Sequence, residues 1–244
     1  MKYLTKLEHL ELVNNSIRQI PYGSAVYGTY NSNVSDKDYI CIVYNSFADK
    51  IKEDNQAQYT FEDGTIHQMT LYTEDEFFDR LENNEIDVLE CVCSNYDAVR
   101  KILSAYTPNF NIRSDDYIPF AYSVYPKKIR DNFSKTASNS WVKCKKKLTV
   151  DKDFAPRVGK KSLWHALRLI DFGTQILCFG WIINFSSMNF LYDEIVNNEC
   201  NDWEFYKNKY QSFYNALKSN FRISETDKMK YKNPEEVYKQ VNGN

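Results

Sequence analysis

Two aspartates, Asp36 and Asp38, stand at i and i+2 at the head of the apolar run DYICIVY, which reads as a strand over Asp38–Tyr44. On a strand that spacing turns both carboxylates to one face. Such a pair either titrates or holds a divalent cation. Upstream lies a Gly23-Ser24 turn signal, with eleven residues between Ser24 and Asp36. The glycine lets a ligand come close to the backbone, and nearby N–H groups with the Ser24 hydroxyl suit phosphate oxygens. A phosphate cradle beside an acid pair that binds Mg²⁺ or Mn²⁺ is the equipment of phosphoryl or nucleotidyl transfer. Alone, each motif is an ordinary loop feature. The reading rests on their order: helix, Gly-Ser, spacer, acid pair, apolar strand.

The surrounding elements must hold those groups. Leu4, Leu7, Leu10, Leu12, Ile17 and Ile20 recur at helical spacing and predict a helix over 3–20, ended by Pro21. Residues 57–62 and 65–72 read as two strands joined by a short Asp63-Gly64 turn. Thr73 is placed to cap a helix whose first turn is Glu74-Asp75-Glu76. A second short helix follows over Ile86–Cys93. Beyond Pro108 the pattern is helical, at 118–148, 159–180, about 187–198 and 203–220. The expected class is α+β: a small mixed-sheet core with flanking helices over 1–110, then a helical bundle over 111–244.

Composition bounds the function. The chain has 244 residues, 26% charged and 43% hydrophobic, with a net charge of −2. It is long enough for a core without staples, and disorder throughout is excluded. A strongly basic nucleic-acid binder is disfavoured, although 127–161 is locally basic. No apolar run approaches the length of a membrane span, and the first twelve residues, which include Lys2, Lys6, Glu8 and Glu11, do not read as a signal peptide. The six cysteines lack zinc-ligand spacing and read as free thiols, so the expected compartment is cytoplasmic. Lysine outnumbers arginine and Asn and Tyr are abundant, as in an A·T-rich viral or microbial coding sequence.

The helical half adds cations. Lys161, His165 and Arg168 fall at i, i+4 and i+7, with Leu163, Leu167 and Ile170 as the apolar stripe. Turned toward a triphosphate, that face would complete a nucleotide site. The denser run Lys143-Cys144-Lys145-Lys146-Lys147 reads as solvated surface before it reads as an RNA contact, and Trp141 and Trp164 read as core before base-stacking platforms.

The segment YGSAVYGTYNSNVSDKDY resembles the nucleotidyltransferase superfamily typified by DNA polymerase β, in the branch with a GSxxYG…SDxD motif. The segments LYTEDEFFDRLENNEIDVLECV and KKSLWHALRLIDFGTQIL are similar to the same branch, so the resemblance touches residues 20–180 in three blocks. It implies that Gly23 and Ser24 hold nucleotide phosphates, that Asp36 and Asp38 are the catalytic metal ligands, and that Lys161, His165 and Arg168 border the nucleotide. One departure stands out. The superfamily's third carboxylate would fall on the strand IHQMTLY, where this chain has Gln68, with His67 as its neighbour. Asp63 or Glu62 on the hairpin are further substitutes. The implied activity is metal-dependent transfer of an NMP from NTP, ATP among them, to an acceptor hydroxyl on RNA, protein or a small molecule. The alternative is a catalytically impaired nucleotide-binding or interaction protein on the same fold.

Overall fold

A computed structural model describes residues 1–29, 36–51, 55–94, 123–224 and 231–243. The chain divides into two compact units, Met1–Ser123 and Val124–Asn244. The boundary expected at 110/111 lies outside the described residues.

The first unit is built on a five-stranded mixed sheet in the order β1-β4-β5-β3-β2. The strands are β1 (Lys2–Tyr3), β2 (Ser16–Tyr22), β3 (Lys37–Val43), β4 (Gln56–Thr60) and β5 (Ile66–Thr73). β2 runs antiparallel to β3, β3 parallel to β5, and β4 antiparallel to β5. Helix α1 (Lys6–Asn14) sits on one face, where Leu12 joins Cys41, Val43, Ala57, Met69 and Leu71 in a buried cluster. The opposite face carries Ile20, Ile40 and Ile42, and is served by α4 (Glu74–Glu82) and α5 (Ile86–Ser94). Two short helices, α2 (Ser24–Tyr27) and α3 (Ala48–Ile51), fill the connections. Thr73 caps α4 through a reciprocal box with Glu76, as its sequence position predicts.

The helix expected over 3–20 is corrected. It covers only Lys6–Asn14, and 16–22 is strand β2. Asn15 closes α1, and the Ser16 hydroxyl caps the Leu12 carbonyl at 2.7 Å. The chain then pairs with β3, where Ile20 is fully buried opposite Ile40. Burial in a sheet outweighs a leucine spacing that extends by chance past the helix end. Pro21 does not end the helix but lies inside β2. It is tolerated because β2 is an edge strand.

Among its described residues the second unit is all helical: α6 (Pro126–Thr149), α7 (Pro156–Phe179), α8 (Tyr192–Val196), α9 (Trp203–Ile223) and α10 (Pro234–Asn242). Proline opens α6, α7 and α10, where its missing N–H costs nothing. Of the helix expected over 118–148, residues 118–122 lie outside the described set, and 123–125 are not helical, because the helix starts at Pro126. The segment expected as one helix over 187–198 is a 3₁₀ turn, Asn189–Leu191, followed by the five-residue α8. The long helix expected to have one apolar stripe is instead α7, buried around most of its circumference from Ser162 to Cys178. A helix enclosed on all sides is the centre of a bundle.

Candidate functional site

The acid pair forms at the head of β3. Asp36 immediately precedes the strand and Asp38 is its second residue. Cross-strand registry fixes what stands beside them. Asp38 is paired with Tyr22 on β2 and with Gln68 on β5, and Gln68 with Gln58 on β4. Paired residues share a face, so Tyr22, Asp38, Gln68 and Gln58 form one row. Asp36 joins it: the Gln68 Nε2 donates to Asp36 Oδ2 at 2.6 Å.

Gly23 meets this row from the next turn. Its φ of +66° and ψ of −138° belong to a region that side-chain-bearing residues avoid. A Cβ built there would lie 2.5 Å from Asp38 Oδ2 and 3.2 Å from its carboxyl carbon. Two independent constraints, dihedral and steric, therefore demand glycine. Ser24 follows as the first residue of α2. The structure thus brings Gly23, Asp36, Asp38 and Gln68 together, with Ser24 next to them in the chain.

His67 is not in this group. One residue along a strand reverses the face. His67 pairs with Lys37 and Tyr59, and packs against Phe61 at 4.5 Å and Tyr39 at 4.8 Å. His9 from α1 stacks on Tyr59 at 4.1 Å on the same side. Burial, then the Lys37 charge, pushes the His67 imidazole below its ordinary pKa. Neither hairpin acid joins the row. Asp63 accepts the Thr65 N–H at 2.9 Å, and exposed Glu62 pairs with Lys6 at 3.6 Å.

The three expected cations lie on α7 and have three different environments. Lys161 is exposed, His165 half-buried, and Arg168 1% exposed. The Arg168 guanidinium lies over the Trp164 ring at 4.8 Å and the Phe172 ring at 5.3 Å, and meets His165 Nδ1 at 2.8 Å. Burial, with the charges of Arg168 and Lys143, holds the His165 pKa well below its usual value. Its Nδ1 is then the acceptor for Arg168. Trp164 is structural: 5% exposed, with its N–H donated to the Met188 carbonyl at 2.9 Å. Trp141 stacks on Tyr214 at 4.5 Å. In the lysine run, Cys144 is buried, and Lys146 pairs with Asp153 at 3.0 Å.

Sequence reasoning missed Glu90. This acid of α5 is 1% exposed and accepts the Tyr27 hydroxyl. The available signal was a lone acid inside the apolar run VLECVC, since a buried carboxyl needs a partner.

Chemically, the Asp36–Asp38–Gln68 corner offers hard oxygen donors beside a closely approached backbone. Among the described residues no group of three or more His, Cys, Asp or Glu side chains is arranged to hold a metal, and no helix is long and apolar enough to cross a membrane. Two carboxylates nevertheless match Mg²⁺, which takes one or two from protein and completes its shell with water and phosphate oxygens. All six cysteines are free thiols. Compared with known proteins, the chain matches no family model and no curated protein.

Proposed function

We propose that this chain is a nucleotidyltransferase dependent on Mg²⁺ or Mn²⁺, moving the NMP of an NTP to an acceptor hydroxyl with release of pyrophosphate. The observation that carries the reading is the contact of the Gly23 backbone with the Asp38 carboxyl, in the row that also holds Asp36. A glycine pressed against an acid brings the Ser24 turn next to the cation ligands, as a triphosphate bridging both would require. Asp36 and Asp38 would hold the metal, which when bound supplies Lewis-acid polarisation of the phosphoryl oxygens. The Ser24 hydroxyl and N–H would orient the phosphates for in-line attack. The cytoplasm is the compartment in this reading.

A second reading is favoured by one observation. Gln68 stands beside Asp38 and spends its N–H on Asp36, so the position offers an amide where a third carboxylate would help hold the metal and activate the acceptor. The chain would then bind nucleotide and catalyse poorly.

Incubation with each α-³²P-labelled NTP, Mg²⁺ or Mn²⁺ and a cell extract tests both. Transfer is expected to label one fraction (RNA, protein or metabolite), and Asp36→Asn and Asp38→Asn should each abolish it without loss of fold. Full transfer by both variants would overturn the catalytic assignment. Nucleotide binding without transfer would select the second reading.

A further inference from the structure

The Gly23-Ser24 turn is bracketed by two tyrosines. Tyr22 ends β2 one residue before it, and Tyr27 ends α2 three residues after Ser24. Their rings meet edge to face at 6.3 Å. Both turn toward α5. The Tyr27 hydroxyl donates to the Glu90 carboxyl, and the Tyr22 phenol is held well above its ordinary pKa by burial and then by Glu90.

Helix α2 has only four residues, far fewer than a helix needs to persist alone. Its place must come from outside contacts, and the Tyr27–Glu90 bond is a directional one. The tolerance at its other end is small, since Gly23 leaves no room for even a methyl group against Asp38. A shift of α2 therefore moves the Ser24 turn relative to the acid pair.

We propose that Glu90 is a positioning residue for nucleotide binding: through Tyr27 it fixes the Ser24 turn at its working distance from Asp38. The inference rests on the nucleotidyltransferase reading above.

Calorimetric titration with Mg²⁺ and each of ATP, GTP, CTP and UTP tests it, with thermal melts run in parallel. The variants are Tyr27→Phe, Glu90→Ala, Glu90→Gln and the double Tyr27→Phe/Glu90→Ala. Wild type should bind at least one nucleotide. Tyr27→Phe and Glu90→Ala should each weaken binding about 10- to 100-fold, the scale of misplacing a reacting group by about an ångström. Glu90→Gln keeps an acceptor oxygen and should stay within about threefold of wild type. The double variant should bind no worse than the poorer single, because both break one link. A merely structural role would lower the melting temperature while leaving the affinity of the folded protein unchanged. That result, or additive losses in the double variant, overturns the proposal. If Glu90→Ala does not fold, Tyr27→Phe retains the ring and decides alone. Wild type binding none of the four nucleotides removes the nucleotidyltransferase reading itself. Binding by wild type with unmoved affinities in the variants removes only the positioning role.

Discussion

Two carboxyl sites in this protein are built in opposite ways. In the helical unit, Asp171 is 2% exposed and wrapped by donors: Gln175 Nε2 at 2.6 Å, the Ser187 hydroxyl, and the Tyr231 hydroxyl at 3.1 Å. These tie α7 to the turn after it and to the approach to α10. In the sheet unit, Asp36 and Asp38 are half-buried at a strand head, facing an amide and a bare glycine backbone. An acid surrounded by donors from its own chain serves the fold. An acid pair packed against a glycine backbone at a strand head is the arrangement on which the nucleotidyltransferase proposal rests.

The contrast should first show in Gly23→Val. The side chain would collide with the Asp38 carboxyl, and the backbone would be strained by about 1–3 kcal/mol. NTP affinity should fall by two orders of magnitude or more by titration, on the scale of a misplaced binding group. Unchanged affinity would remove this turn from the site.

Asp171 should answer in stability instead. Its carboxyl titrates at about 6 in the fold, raised by burial against the pull of its three donors, and near 3.8 when unfolded. Between those values the folded protein holds a proton that the unfolded chain has released. Unfolding free energy therefore falls as pH rises from about 4 to about 6, then levels off. The total is about 3 kcal/mol at roughly 1.4 kcal/mol per pKa unit. Denaturant melts across that window should show the slope, and Asp171→Asn should flatten it without changing nucleotide affinity. A slope that persists in the variant would assign the proton elsewhere.

The finest distinction lies within one strand. Gln68→Asp adds a negative charge beside Asp36 and should tighten Mg²⁺ binding and raise turnover by roughly 10-fold or more, below the 10²–10³ typical of one preorganised electrostatic group. His67→Ala, on the opposite face, should change neither beyond about twofold and cost only aromatic packing, about 1 kcal/mol. Loss of transfer in His67→Ala would reverse the assignment of faces.

Much of this was legible in the sequence because it is local. The Asp63-Gly64 hairpin, the Thr73 cap and the β-branched run of β3 each depend on neighbours a few residues away. The adjacency of Gln68 to the acid pair was also readable, through the superfamily resemblance that puts a third carboxylate on the strand IHQMTLY. What escaped depends on distant partners. The leucine pattern of α1 continues into Ile17 and Ile20, and only pairing with β3 makes that stretch a strand. Glu90 stands out as a lone acid in VLECVC, but its partner Tyr27, 63 positions earlier, is seen only in the fold. Arg168 looked like one member of a polar stripe, and its two aromatic neighbours on α7 reveal a buried guanidinium.

The order of the strands also sets the order of events during synthesis. β1, at Lys2–Tyr3, pairs with Ala57 and Gln58 of β4, more than fifty residues further along the chain. β3 gains its parallel neighbour only when β5 has emerged. The acid pair is thus translated well before the strand that carries Gln68, and the row they share cannot close until the hairpin docks. Non-local parallel pairing is slow compared with helix formation. The row that holds Asp36, Asp38 and Gln68 therefore requires β5 to dock beside β3 before it is complete.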